Sequence, residues 1–130
     1  MDDDFRDTSR LTPRQKTGAA NEALALDYLQ RHGLQLIARN HRCKAGEIDL
    51  VMLDGATLVL FEVRYRADAS FGGAAASVTW RKQRRIMRAA QHLLLMRAEL
   101  RRYRSRFDVI AVAPGIDAPQ VEWIKNAFTS

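Results

Sequence analysis

Two carboxylates stand where a folded chain usually places apolar side chains. Asp49 interrupts the run Ile48-Leu50-Val51-Met52-Leu53, and Glu62 interrupts Leu58-Val59-Leu60-Phe61 and Val63. A charged carboxylate in a sheet centre is costly unless it is paired or bound to a cation. Glu62 and Arg64 are two apart, so on a strand their side chains leave from the same face. The chemistry this suggests is two acids sharing one hard cation beside a fixed positive charge.

Whether Asp49 joins Glu62 depends on strand register. Asp54-Gly55-Ala56-Thr57 between the two apolar runs is a hairpin signature. A turn on Gly55-Ala56 makes Leu53 face Leu58, Val51 face Leu60 and Asp49 face Glu62. Directly opposed residues have Cβ atoms about 4.5–5.5 Å apart, close enough for a shared cation. A turn centred on Asp54-Gly55 instead puts Leu60 opposite Asp49. The sequence leaves both registers open. The first one predicts either a bound metal or a strongly raised pKa, because two such carboxylates repel.

Glu22 is a third acid within an apolar pattern. Ala19, Ala23, Leu26 and Leu29 are spaced as one helical stripe, and Glu22 lies on it. Its plain alternative is a half-buried glutamate paired to an arginine. For Asp49 and Glu62 the plain alternative is a structural salt-bridge set with Arg64 and Arg66.

The elements that must position these residues can be read in order. Residues 1–11 carry no periodicity and read as a disordered tail, leaving 12–130 as a single domain. Thr12-Pro13-Arg14-Gln15 offers a cap, a first-turn proline and a capping-box glutamine for a helix to about His32, with Gly33 past its end. Leu34 to about Arg42 reads as a strand, Lys44-Ala45-Gly46 as a turn, and the two apolar runs as a strand pair. Residues 67–76 form a small-residue loop. Ser77 or Thr79 can cap a second helix to about Leu100, with Ile86, Ala89, Ala90, Leu93, Met96 and Leu100 as its buried stripe. Arg81, Arg84, Arg85 and Arg88 fall on an exposed face. Phe107 to Ala113 reads as a returning strand and Val121 to Ile124 as a short edge strand. The order predicts an α/β fold, a mixed sheet flanked by helices.

Composition narrows the class. The chain has 130 residues, 47% hydrophobic and 28% charged, which suits one soluble domain. No apolar run approaches the roughly 18 residues of a membrane span. Cys43 is the only cysteine, which excludes an intrachain disulfide and fits the reducing cytoplasm. Net charge is +6, and residues 81–106 hold ten Lys or Arg against one acid, Glu99. Such a cluster attracts phosphate backbones by counterion release, although it would also serve as a solvated face. His32, His41 and His92 lack metal-site spacing, Gly72-Gly73 matches no phosphate loop, and Trp80 and Trp123 read as core or interface residues.

Together these motifs carry a resemblance. Gly18-x-x-x-Glu22, Arg39-Asn40, Gly46-Glu47-Ile48-Asp49-Leu50-Val51, Phe61-Glu62-Val63-Arg64-Tyr65-Arg66, Phe71-Gly72, Arg106-Phe107-Asp108-Val109 and Glu122 to Phe128 resemble the bacterial YraN family over residues 16–128. Those sequences are similar to PD-(D/E)XK nucleases, particularly archaeal-type Holliday junction resolvases. The resemblance implies a restriction-endonuclease-like core of order αβββαβ. It implies Asp49, Glu62 and the Val63 carbonyl as ligands of Mg²⁺ or Mn²⁺, and Glu22 as a helix-borne acid completing the site. Arg64 stands where that motif usually has lysine. Arginine can stabilise a developing phosphorane but is a poor proton shuttle. Ile48 likewise replaces the motif's proline.

The expectation is a metal-dependent endonuclease acting on structured or branched DNA. Glu22, Asp49, Glu62 and Arg64 would be its catalytic residues. Arg66, Arg81, Lys82, Arg84, Arg85 and Arg88 would grip the backbone. A junction-cutting enzyme needs two active sites, hence a homodimer, and no membrane is expected. The rival readings are a non-catalytic nucleic-acid-binding module and a protein-interaction domain that uses the basic helix.

Overall fold

A computed structural model describes residues 12–66, 73 and 77–129. The expected tail over 1–11, most of the loop over 67–76 and the Phe71-Gly72 motif lie outside the described residues. Helix α1 spans Pro13–Arg31. It ends as Gly33 predicts: the Gly33 N–H donates to the Gln30 carbonyl and the Leu34 N–H to the Leu29 carbonyl, closing the last turn on its own carbonyls. Its buried line is Asn21, Ala25, Leu26 and Leu29. Ala23, expected within the stripe, is exposed. The helix is therefore rolled so that Asn21 and Ala25 meet the sheet.

Strands β1 (Gln35–Cys43), β2 (Gly46–Asp54) and β3 (Thr57–Tyr65) follow, then helix α2 (Trp80–Met96), β4 (Arg104–Ala113) and β5 (Gln120–Phe128). They form one five-stranded sheet in the order β1-β2-β3-β4-β5. β3 and β4 are parallel, joined by the α2 crossover, and every other neighbouring pair is antiparallel. The expected mixed sheet flanked by helices is what the structure shows.

The two helices cover opposite faces. One core joins Ile86, Ala89 and Leu93 of α2 to Val51, Leu58, Leu60 and Val109. The other joins Ala25 and Leu29 of α1 to Leu50, Met52, Val59 and Phe61. Burial on both faces explains why β2 and β3 read as continuous apolar runs rather than alternating ones. It also makes any polar side chain within them conspicuous.

Three boundaries differ from expectation. α2 stops at Met96: Arg97 leaves helical geometry and a short 3-10 helix, Ala98–Arg102, follows. That tighter winding brings Leu100 back to the core but leaves Met96 66% exposed, outside the stripe assigned to it. β4 begins three residues before Phe107, and β5 runs well past Ile124, because the two pair along most of their length around a register shift between Phe107 and Val109.

Candidate functional site

The hairpin turns on Gly55-Ala56. Asp54 pairs with Thr57, and the ladder continues through Leu53 with Leu58, Val51 with Leu60 and Leu50 with Phe61. Gly55 has φ +60°, a left-handed conformation that glycine adopts without strain. This is the register in which the next residues, Asp49 and Glu62, come opposite each other. The recorded pairing of β2 with β3 ends just before them. Ile48 packs with the α2-side core while Leu50 packs with the α1 side, so regular alternation breaks at Asp49. In place of a further ladder bond, the Val63 N–H donates to Asp49 Oδ2 at 2.8 Å.

Both carboxylates are buried, Asp49 at 8% exposure and Glu62 at 3%. Burial, the Glu62 charge and a hydrogen bond between the two carboxyls push the Asp49 pKa up to about 9. Glu22 adds to that push from α1, and the Val63 N–H opposes it. At neutral pH the pair therefore holds a shared proton. Glu62 Oε2 meets two cations, Lys82 Nζ at 3.1 Å and Arg64 Nη1 at 3.4 Å. Arg64 Nη2 also donates to the Ser77 carbonyl at 3.4 Å.

Lys82 reaches this point because Thr79 fixes the start of α2, its hydroxyl accepting from the Lys82 N–H at 3.2 Å. Farther along, Gly46 lets the first residue of β2 approach the backbone of α2. A Cβ there would run into the Arg85 carbonyl. Helix and strand are thus held at close quarters beside the acids.

Of the residues singled out from sequence, Asp49, Glu62, Val63, Arg64 and Glu22 are brought together, and Lys82 joins them rather than the exposed ridge. Arg81, Arg84, Arg85 and Arg88 are exposed on α2. Arg66 lies apart from that ridge at the end of β3, its N–H donating to the Val112 carbonyl and its guanidinium lying against Gly73. Among the described residues no three His, Cys, Asp or Glu side chains converge as a ready metal cluster. The fit to a divalent cation rests instead on two facing carboxylates with hard oxygen donors, which suit Mg²⁺ or Mn²⁺.

Sequence reasoning missed three arrangements. The Lys82–Glu62 pair joins residues twenty positions apart on different elements. Asp108, fully buried, accepts from Arg106, the Trp123 indole and the Asn126 N–H; it stood in the Arg106-Phe107-Asp108-Val109 motif, an acid inside another apolar run, with nothing to name its partners. His41 Nε2 and His92 Nδ1 are 3.0 Å apart, and burial together with His92 holds the His41 imidazole below its ordinary range.

Residues 21–112 match the sequence profile of Uncharacterised protein family UPF0102. The chain belongs to the UPF0102 family. This is the YraN-like family to which the motifs point. A UPF0102 protein of Herminiimonas arsenicoxydans is 56% identical over 119 residues, covering 92% of this chain and 91% of its own length. Relatives from Pseudomonas putida and Saccharophagus degradans are 52% and 48% identical, the first covering 87% of this chain and 92% of the relative, the second 92% and 98%. The candidate acids all lie inside the UPF0102 match. No helix among the described residues is long and apolar enough to cross a membrane.

Proposed function

We propose that this UPF0102 chain is a divalent-metal-dependent endonuclease of restriction-endonuclease-like, PD-(D/E)XK architecture, acting in the cytoplasm on structured or branched DNA. The observation that carries the reading is the pair of buried carboxylates at the end of the β2–β3 ladder. Such an arrangement is costly for stability and, among the described residues, no cation is paired with Asp49, so a metal ion is the partner it suits.

Asp49 and Glu62, with the Val63 carbonyl, would hold Mg²⁺ or Mn²⁺, and Glu22 would act through the metal's waters. The bound metal supplies Lewis-acid polarisation of a phosphoryl oxygen and a water of lowered pKa. Arg64 and Lys82, both against Glu62 Oε2, lie within reach of a phosphate placed over the acids. Arg64 stabilises its developing charge but moves no proton. Arg66, Arg81, Arg84, Arg85 and Arg88 contact the backbone without reading sequence. Paired cuts across a junction would require a homodimer.

The test is cleavage of labelled duplex, single-stranded, flap and four-way-junction DNA with Mn²⁺ or EDTA. Metal-dependent cutting is expected, reduced to background in an Asp49→Ala, Glu62→Ala double variant. Cutting that survives in the double variant would overturn the assignment of the site. Arg64 favours one second reading, a nucleic-acid-binding module without turnover. Equal DNA binding by both proteins, with cutting by neither, would establish it.

A further inference from the structure

The chain's two tryptophans are used in opposite ways. Trp123 donates its indole N–H to Asp108 at 2.8 Å and packs near Phe61, with ring centroids 6.1 Å apart, so it belongs to the structure. Trp80, read from sequence as a core or interface residue, is 69% exposed on the first turn of α2. Leaving an indole in water forfeits one of the largest gains a side chain can make by burial; a lone exposed ring is ordinary on a protein surface, and what sets this one apart is its cationic surround.

Trp80 opens a helix whose start is tethered to the candidate site by its chain neighbours on both sides. On one side of Trp80, Ser77 is tied to Arg64 through its carbonyl. On the other, Lys82 is tied to Glu62. Val78 is buried and its carbonyl accepts from the Gln83 side chain at 3.0 Å, which stiffens the helix start between the two tethers. The Arg84 guanidinium lies 4.7 Å from the Trp80 ring centroid, holding the indole along the helix. The first turn of α2 has no acid, and Arg81 and Arg85 are exposed nearby.

We propose that Trp80, backed by Arg84, is a stacking platform for an unpaired base of bound DNA, carried on the first turn of the helix whose Lys82 reaches Glu62. An indole flanked by cations suits a base on its open face and a phosphate at its edge. A base within intact duplex is stacked on its neighbours and offers no face to it. The substrate class this selects is DNA that offers an unpaired base to the basic face of this helix, as in a flap, a junction or a single strand. The inference rests on the nucleic-acid reading above, but on none of its metal chemistry.

The experiment measures binding in EDTA of the full chain, wild type, Trp80→Leu and Trp80→Phe, to a single-stranded oligonucleotide and to a hairpin-closed duplex of equal length. Trp80→Leu should weaken single-strand binding about tenfold and leave duplex binding unchanged, with Trp80→Phe recovering most of the loss. Wild-type tryptophan fluorescence should be quenched by the single strand and not by the duplex. Loss of affinity for neither substrate, or equally for both, overturns the platform and leaves the endonuclease reading standing. A wild-type chain that binds neither DNA overturns the nucleic-acid reading along with it. A Trp80→Leu variant that instead loses self-association assigns the indole to a protein interface and also overturns the proposal.

Discussion

Two buried carboxylate sites lie on neighbouring central strands, β3 with β2 and β4, and they are built on opposite principles. Asp108, at 0% exposure, is satisfied on every side. Arg106 Nε donates to its Oδ1 at 2.9 Å and Nη2 to its Oδ2 at 3.0 Å, while the Trp123 indole and the Asn126 N–H each approach to 2.8 Å. Arg106 then reaches Asp54 at 3.1 Å, tying β4 to the hairpin turn. Asp49 receives one backbone N–H and faces another acid. Burial alone therefore says little about role. A carboxylate whose lone pairs are filled by the fold holds the fold together, whereas one set against a second carboxylate stores repulsion that a ligand can relieve.

The largest consequence of this difference falls on stability. Asp108→Ala leaves the Trp123 and Asn126 N–H groups without their acceptor and the Arg106 charge with Asp54 alone. Removing one member of a buried, hydrogen-bonded pair costs about 3 kcal/mol. Urea unfolding followed by circular dichroism should show that loss. A variant as stable as the wild type would mean that the Asp108 network is ornamental and the contrast empty.

Asp49→Asn should act in the opposite direction and more weakly. The amide oxygen can still accept the Val63 N–H, while the cost of holding the Asp49 carboxyl protonated beside Glu62 disappears. Without added metal, the variant is expected to match or exceed wild-type stability, by up to about 1 kcal/mol, as relief of a strained functional site allows. In millimolar Mn²⁺ the wild type should gain stability that Asp49→Asn does not. Destabilisation in metal-free buffer would place Asp49 beside Asp108 as a structural acid.

Which of these features the sequence disclosed follows from how far apart the partners lie. The hairpin and both of its registers were legible, because turn chemistry is local, but choosing between registers required the sheet. The start of α2 was legible from Thr79, while its end was not: Leu94, Leu95, Met96 and Leu100 continue helical spacing past the point where packing bends the chain at Arg97. Asp49 and Glu62 stood out against apolar neighbours, yet Asp108, in the same kind of run, was legible only as part of the Arg106-Phe107-Asp108-Val109 motif and not as a buried acid. Arg106 is its neighbour two residues away, but Trp123 and Asn126, and the Asp54 that Arg106 also reaches, lie far along the chain. Lys82 read as one more cation on a basic helix, since nothing local marks it as the one that turns toward Glu62.

The finest probe of the contrast is pH. The folded Asp49 carboxyl titrates at about 9, against an ordinary value of 3.8 in the unfolded chain. Between these values the folded state binds a proton that the unfolded state releases, so this group's contribution to stability is full below about pH 4. It declines as pH rises and is gone above about pH 9, with a slope of at most about 1.4 kcal/mol per pH unit. The expected signature is a wild-type stability that falls from pH 6 to 9 relative to Asp49→Asn, measured by urea midpoints at each pH without metal. Adding Mn²⁺ should flatten that decline, because a cation takes the proton's place between the carboxylates and binds better as the proton leaves. Parallel pH profiles for the two proteins would mean that Glu62 is neutralised by Lys82 and Arg64 alone, leaving Asp49 an ordinary ionised acid with nothing to share.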